Sequence, residues 1–353
     1  MELEEPGDKI DRLVFQPEED AILRVALDLC IYGILAQQDA AMTTGEVAKE
    51  AKADPVLMAR ILRNLAAFGH IDEVGADKFQ ANKFSRAFTT TKGISLAKFS
   101  FDFAAPAWRA IPAYLKSVQY MNPTDAMDAP VQQAFKSDKH FFGLLVETGI
   151  LETFQTAMSF YREGRPEFLD IFPAEERLIN GYDSSQGHDG VLLVDVGGGH
   201  GHDIQKFVEK IPAREGRLVL QDQEDVISQV SKSDVMEVMV HDFFTPQPLK
   251  GARAYYFRMI FHDWPDEQCL LILKHITPAM KPGYSKLLIN DIVLPDVGAS
   301  RFATQSDINM LALLAAMERS EAQWRQLLER AGLRVTKVWQ GVPESVIEAE
   351  VAE

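Results

Sequence analysis

Three residues in the second half of the chain have the side chains needed to take a proton from a hydroxyl group. His262 lies in FRMIFHDWPDEQ, and a histidine has an unperturbed pKa of about 6.5, so its imidazole can act as a base near neutral pH. Asp291 in LINDIVL and Glu318 in MERSEAQW could hold that imidazole in one tautomer and stabilise its protonated form. Two simpler interpretations stay open: a structural histidine, and a helix-capping or surface role for Glu318 beside Arg319.

A glycine-rich loop follows the apolar run LLVDV, with glycines at positions 197, 198, 199 and 201. Such glycines let the backbone approach a ligand closely, and the N-terminus of a following helix favours negative charge. The dinucleotide fingerprint needs a third glycine where this chain has His202, so the loop is a poor NAD site. Asp195, at the end of the run, would repel a pyrophosphate but suits a ligand carrying an ammonium and a sulfonium. Its charge favours S-adenosylmethionine.

Two more acids follow apolar stretches, Asp222 in LVLQD and Asp242 in MVHDFF. An acid after the second strand commonly binds ribose hydroxyls, a role that NAD and S-adenosylmethionine sites share. Asp242 could accept a hydrogen bond from an adenine amino group while Phe243 packs on the base. Either acid alone could instead serve a turn or a helix cap. The succession of three acids at strand ends favours a ligand site.

An alternation of strands and helices from about residue 185 would position these side chains. Candidate strands cover residues 191–196, 217–222, 237–242, 254–259 and 286–294, with helical stretches such as DIQKFVEKI between them. Buried strands that alternate with helices predict a parallel, doubly wound α/β sheet. Ligands of such sheets bind at the carboxyl ends of the strands, which is where the acids, the glycine loop and His262 are expected.

The first part of the chain is predicted to be mostly helical. Apolar spacing predicts a helix over residues 18–35, Thr43 and Glu46 form a capping box, and Asp54 is a helix N-cap. A short hairpin after residue 70 completes a winged-helix pattern.

Residues 86–180 are also expected to be mostly helical. Their many aromatic side chains either fill a core or line an apolar pocket.

Composition excludes several classes of function. The formal net charge of −16 opposes binding to nucleic acid, and the helix PVLMARILRNLAAF is too apolar for a DNA groove. Two distant cysteines predict neither a disulfide framework nor a metal site. There is no apolar run of membrane-spanning length, and the N-terminus lacks the features of a signal peptide. We therefore expect no membrane association and a cytoplasmic location.

Six segments, taken in order, resemble the S-adenosylmethionine-dependent O-methyltransferases of the plant caffeate type, and in particular their fungal relatives. They are LVDVGGGHG, LVLQD, HDFF, FHDWPDEQ, NDIVLP and MERSEAQW. The resemblance covers nearly the whole chain. It implies a Rossmann-like class I methyltransferase domain over residues 181–353, preceded over residues 1–180 by a mostly helical winged-helix domain for homodimerisation and part of the substrate pocket.

The resemblance also implies roles for individual residues. The general base falls on His262 and the orienting acids on Asp291 and Glu318; no metal is implied. Phe154, Met158 and His140 fall in regions that border the acceptor. Contacts to S-adenosylmethionine, or to the product S-adenosylhomocysteine, fall on Asp195, Gly197, Gly199, Asp222, Asp242, Phe243, Arg258 and Trp264.

The chain departs from the family pattern in two ways. Asp291 replaces the glutamate that plant members usually have, which gives a shorter arm toward His262. The chain also begins later than many relatives, so we expect it to lack an N-terminal helical stretch that often joins the dimer interface.

These observations predict methyl transfer to a phenolic or enolic hydroxyl of an apolar small molecule, such as a fungal secondary metabolite. The alternative is an enzyme of the same fold that uses the bound sulfonium electrostatically, as a pericyclase or dehydratase, without methyl transfer. His262 favours methyl transfer, because a pericyclase does not need that base. The sequence does not identify the acceptor.

Overall fold

The computed structural model describes residues 5–160, 162, 164–186, 190–231 and 234–352. Packing divides the chain into two compact units, Met1–Arg109 with Phe142–Glu163, and Ala110–Phe141 with Gly164–Glu353. The single domain boundary expected at residue 180 stays a prediction.

The helices account for most of the first unit and flank the sheet of the second. They are α1 Pro6–Asp28, α2 Ile31–Ala36, α3 Thr44–Glu50, α4 Pro55–Ala67, α5 Lys83–Ala87, α6 Thr91–Lys98, α7 Ala105–Ser117, α8 Pro130–Phe135, α9 Phe141–Glu147, α10 Leu151–Phe160, α11 Phe168–Ile171, α12 Ala174–Arg177, α13 His202–Lys210, α14 Glu224–Ile227, α15 Asp266–Ile276, α16 Arg301–Leu314 and α17 Glu321–Arg330.

The strands form one hairpin and one large sheet. They are β1 Asp72–Gly75, β2 Lys78–Gln80, β3 Val191–Val196, β4 Arg217–Asp222, β5 Glu237–Val240, β6 Ala254–Arg258, β7 Lys286–Leu294, β8 Arg319–Ser320, β9 Leu333–Trp339 and β10 Glu344–Val351.

The local signals of the first unit produce the expected helix starts. Thr43 and Glu46 form the reciprocal capping box at the start of α3. Asp54 accepts hydrogen bonds from the backbone N–H groups of Val56 and Leu57 at the start of α4. β1 and β2 then pair as an antiparallel hairpin. The predicted starts of α3 and α4 and the predicted hairpin are therefore present.

The continuous helix predicted over residues 18–35 is wrong. α1 ends at Asp28, α2 begins at Ile31, and Cys30 between them has a φ of 54°. Ala26 and Ile31, on either side of the break, are both fully buried in the same apolar cluster. Because both helices contribute to one core, apolar spacing continues across a bend that it cannot reveal.

The large sheet has the strand order β5-β4-β3-β6-β7-β10-β9, with β8 paired to β7. The five strands predicted from sequence, β3 to β7, are all parallel. β10 is antiparallel to both β7 and β9, so the sheet is mixed rather than fully parallel. β10 is not evident in the sequence because its buried residues include Glu344 and Glu348, which interrupt the apolar pattern.

Helices cover both faces of this sheet. α15 and α17 pack on one face through Cys269, Ile272 and Leu327. On the other face, α11 and α13 contribute Phe168 and Phe207 to a second buried cluster. No described helix is both long enough and apolar enough to cross a bilayer.

Candidate active site

The glycine loop joins β3 to α13 at the carboxyl edge of the sheet. Gly197 and Gly199 have φ values of 71° and 61°, a left-handed backbone conformation that glycine adopts without steric cost. A Cβ on Gly198 would lie 2.4 Å from the carboxyl group of Asp195, whereas one on Gly199 would meet nothing within 4 Å. The loop is therefore folded tightly onto Asp195 and leaves the backbone at Gly199 open.

The predicted acids lie at or just beyond the ends of β3, β4 and β5. Asp195 is completely buried. Asp222 accepts hydrogen bonds from the N–H groups of Gly199 (2.8 Å) and Gln223 (2.8 Å), and burial raises its pKa. Asp242 is exposed and accepts from the N–H of Phe244, so it serves the turn that the sequence left open as an alternative. Their roles as ligand contacts stay predictions.

An aromatic group borders this edge within the second unit. The His140 ring stacks on Trp264, with centroids 5.0 Å apart and an angle of 7° between the planes. Trp264 also meets Phe243 and Phe244 edge-on, at 6.3 and 4.8 Å. Burial lowers the pKa of His140, which favours its neutral form. The structure thus brings together a predicted acceptor contact, His140, and two predicted cofactor contacts.

Arg258, another predicted cofactor contact, is paired with two acids. It donates to both carboxylate oxygens of Glu344, at 2.8 and 3.0 Å, and lies 3.5 Å from Asp203. Burial acts to lower its pKa, but the hydrogen bonds to Glu344 and the charge of Asp203 outweigh burial and raise it. This pairing joins β6, β10 and α13, the helix that follows the glycine loop. Glu344 could not be predicted from the sequence, because nothing local links it to Arg258, 86 positions earlier.

His262 lies in a 3₁₀ segment, Phe261–Asp263, between β6 and α15. Its Nδ1 lies 2.9 Å from Oε1 of Glu318. Because a carboxylate only accepts hydrogen bonds, this contact places the proton of the neutral imidazole on Nδ1. Nε2 is then the basic nitrogen, and it lies 3.4 Å from Oδ1 of Asp263.

Three acids change the protonation of this histidine. Burial acts to lower the pKa of His262, but the charges of Glu318, Asp263 and Asp291 outweigh it and raise that pKa to about 10. For the two aspartates burial acts in the opposite direction, because it disfavours the charged carboxylate, and it raises the pKa of Asp263 to about 6 and that of Asp291 to about 7. The imidazolium is therefore favoured in the free protein.

Asp291 interacts with His262 through charge rather than through a hydrogen bond. Its side chain is completely buried, and neither of its carboxylate oxygens has a hydrogen-bond partner among the described residues. Of the two predicted orienting acids, only Glu318 contacts the ring directly. The role of Asp291 stays a prediction.

Glu318 is neither a surface acid nor a helix cap. It is only 2% exposed, and the N-cap of α17 is Ser320. Arg319, also buried, donates to the carbonyl oxygens of Phe261 (3.0 Å) and Trp264 (2.9 Å). Arg319 therefore holds the backbone on both sides of His262. Nothing local in the sequence indicated this role.

Phe154 and Met158 lie on α10 in the first unit. The ring of Phe154 lies 5.2 Å from that of Phe99 and 6.4 Å from that of Phe142, and Met158 is half-buried. Their contact with an acceptor stays a prediction.

Comparison with known proteins shows the family. Residues 174–334 match the O-methyltransferase domain, and residues 19–91 match the O-methyltransferase dimerisation domain. The methyltransferase cfoC of Aspergillus candidus is 40% identical over 98% of this chain and 86% of its own length. Other fungal relatives, 34–38% identical, are named O-methyltransferases. The chain therefore belongs to the O-methyltransferase family, and the resemblance seen in its motifs is confirmed.

Two solved structures share its fold closely. One, titled a pericyclic reaction enzyme, has a TM-score of 0.90 and 30% identity, covering 99% of this chain and 90% of its own. The other, LepI in complex with SAM, has a TM-score of 0.90 and 29% identity with the same coverage.

Proposed function

We propose that this O-methyltransferase moves the methyl group of S-adenosylmethionine to a phenolic or enolic hydroxyl of an apolar small molecule, with His262 as the general base. The observation that carries the proposal is the 2.9 Å contact between His262 Nδ1 and Glu318, which leaves Nε2 as the nitrogen that accepts a proton. The relatives support transfer to an oxygen atom, and the aromatic side chains between residues 86 and 180 support a flat, apolar acceptor.

The glycine loop and the acids at the strand ends fit a cationic ligand. Asp195 would attract the ammonium group, and Asp222 would bind ribose hydroxyls. The open backbone at Gly199 would let the ligand approach the loop closely. Phe243 and Trp264 offer apolar surface to the adenine. When bound, S-adenosylmethionine supplies an electrophilic methyl group on a sulfonium centre.

His262 removes the hydroxyl proton at Nε2, while Glu318 keeps the ring oriented and stabilises the imidazolium that forms. A cation bound at the same sheet edge would repel the imidazolium and lower the pKa of His262 from its value of about 10 in the free protein, which would free the base. Positioning contributes on the order of 7 to 11 kcal/mol when the reacting atoms are held near attack distance. Proton removal adds roughly 100- to 10,000-fold.

The direct test is His262→Ala. We expect loss of turnover with labelled S-adenosylmethionine and a panel of phenols, because the variant lacks the imidazole that accepts the proton. Calorimetry should show nearly unchanged affinity for S-adenosylhomocysteine. A variant that keeps most of its activity would contradict the assigned role.

The structural match to a pericyclic reaction enzyme supports a second candidate, rearrangement or dehydration without methyl transfer. The two functions differ in the fate of the label. In methyl transfer the labelled methyl group appears on the acceptor, whereas in the alternative it stays on the cofactor while the acceptor isomerises or loses water.

We also propose that the chain forms a homodimer through its N-terminal unit. The match to a dimerisation domain supports this, and so does the apolar surface of α1, on which Ile10, Leu13 and Val14 are 63%, 59% and 63% exposed. Large apolar side chains in consecutive helical turns typically mark an interface.

A further inference from the structure

Ser306, on α16, also contacts the carboxylate that holds His262. Its hydroxyl donates a hydrogen bond to Glu318 Oε1 over 2.6 Å, and His262 Nδ1 lies 2.9 Å from the same oxygen. The other oxygen, Oε2, is buried and accepts no hydrogen bond from any described residue. The Ser306 hydroxyl and the His262 imidazole therefore both interact with the same carboxylate oxygen of Glu318.

The backbone of Glu318 is fixed by the same helix. Its N–H donates to Oδ1 of Asp307 over 3.0 Å. Two consecutive residues of α16, Ser306 and Asp307, thus bind the side chain and the main chain of Glu318. α16 lies outside the motifs that the sequence indicated.

We propose that Ser306 is a positioning residue that sets the basicity of His262 through Glu318. The proposal rests on the proposed function in taking His262 as the base. A hydroxyl that donates to a carboxylate disperses part of its negative charge, so the carboxylate attracts the neighbouring imidazolium less strongly. Without that hydroxyl, Glu318 stabilises the imidazolium more, and His262 is a proton acceptor over a narrower pH range.

The other charged groups around Glu318 remain when Ser306 is replaced. His262 and Asp263 face it from the 3₁₀ segment, Asp291 from β7 and Asp307 from α16. Arg319 follows it in the chain and pairs with Asp266. A change in His262 titration on replacing Ser306 therefore reports the loss of one hydrogen bond.

The first experiment is the pH profile of kcat/KM for Ser306→Ala. Loss of one hydrogen bond to a charged group should move the acidic limb to higher pH by roughly 0.5 to 1 unit. At pH values on the acidic side of the limb, kcat/KM should fall about 3- to 10-fold, and at pH values above the limb it should be unchanged. Ser306→Thr should restore the wild-type limb. Thr304→Ala is the matched control, because that hydroxyl lies on the same helix and, among the described residues, bonds the carbonyls of Ser300 and Arg301 rather than Glu318.

A loss of activity that is equal at every pH, or a limb that moves downward, would overturn the proposal. Either result would mean that Ser306 supports the fold without adjusting the base.

The second experiment needs no acceptor. The protein labelled with ¹⁵N-histidine is titrated by NMR, with His262→Gln used to assign the signal, and the titration of His262 is expected to move upward in Ser306→Ala. If the wild-type protein methylates no phenol, the proposed function fails. The NMR titration still decides the role of Ser306, because an unmoved signal would overturn it.

Discussion

His262 differs from a histidine in water because three acids surround it. Glu318 lies 2.9 Å from Nδ1 and Asp263 lies 3.4 Å from Nε2, whereas Asp291 is buried, has no hydrogen-bond partner among the described residues and acts through its charge. Removing either acid removes one negative charge, but only the loss of Glu318 also removes the carboxylate that keeps the proton of the neutral imidazole on Nδ1. The two acids can therefore be separated by experiment.

Glu318→Gln and Asp291→Asn form a matched pair. We expect Glu318→Gln to lower kcat by roughly 100- to 10,000-fold, because an amide does not stabilise the imidazolium and can donate to Nδ1, which leaves Nε2 protonated and unable to accept the proton. Asp291→Asn should lower the pKa of His262, because one acid that raises it is lost, so the acidic limb of kcat/KM moves to lower pH.

The plateau kcat of Asp291→Asn should stay within a few-fold of wild type. Measured pH profiles of the two variants check this. Equal losses of kcat in both would show that Asp291 orients the ring as Glu318 does.

The elements differ in how far sequence could predict them. Strands β3 and β4 and the glycine loop were predictable because apolar runs and glycines are local signals. The break at Cys30 was not predictable, because the helices on both sides of it contribute to one core. The buried strand β10 was not predictable either, because its buried charges are paired with residues distant in the chain. The site shows the same division: His262 lies in a motif, whereas Arg319, Glu344 and Ser306 act through partners distant in sequence.

The glycine loop allows a test at the scale of an element. Gly198→Ala adds a Cβ that would lie 2.4 Å from the Asp195 carboxyl group, in a backbone conformation that alanine tolerates. Overpacking of about 1 to 3 kcal/mol should weaken S-adenosylhomocysteine binding by roughly 5- to 100-fold in calorimetry.

The control for this variant is Gly45→Ala in α3, where an added Cβ meets nothing within 4 Å. Gly45→Ala should bind as the wild type does. Normal affinity in Gly198→Ala would mean that the loop does not hold the ligand as proposed.

At the scale of the whole molecule, assembly depends on the surface of the N-terminal unit. Leu13→Lys with Val14→Lys places two charges on the exposed face of α1 and should convert a homodimer into a monomer. Light scattering measures the mass, and Val297→Lys, at a position 89% exposed in the other unit, is the control. An unchanged dimeric mass in the double variant would place the interface elsewhere.

The position of β10 inside the sheet bears on how the chain folds during synthesis. Among the described strands, β9 pairs with β10 and with no other strand, and β10 follows it in the chain. Until β10 has formed, β9 is not joined to the sheet, and the edge of β7 is open to pairing with another chain. A premature stop codon just before Glu344 would leave β7 and β9 each without the partner that β10 provides. We therefore expect the truncated product to aggregate rather than to accumulate as a folded enzyme with weak activity.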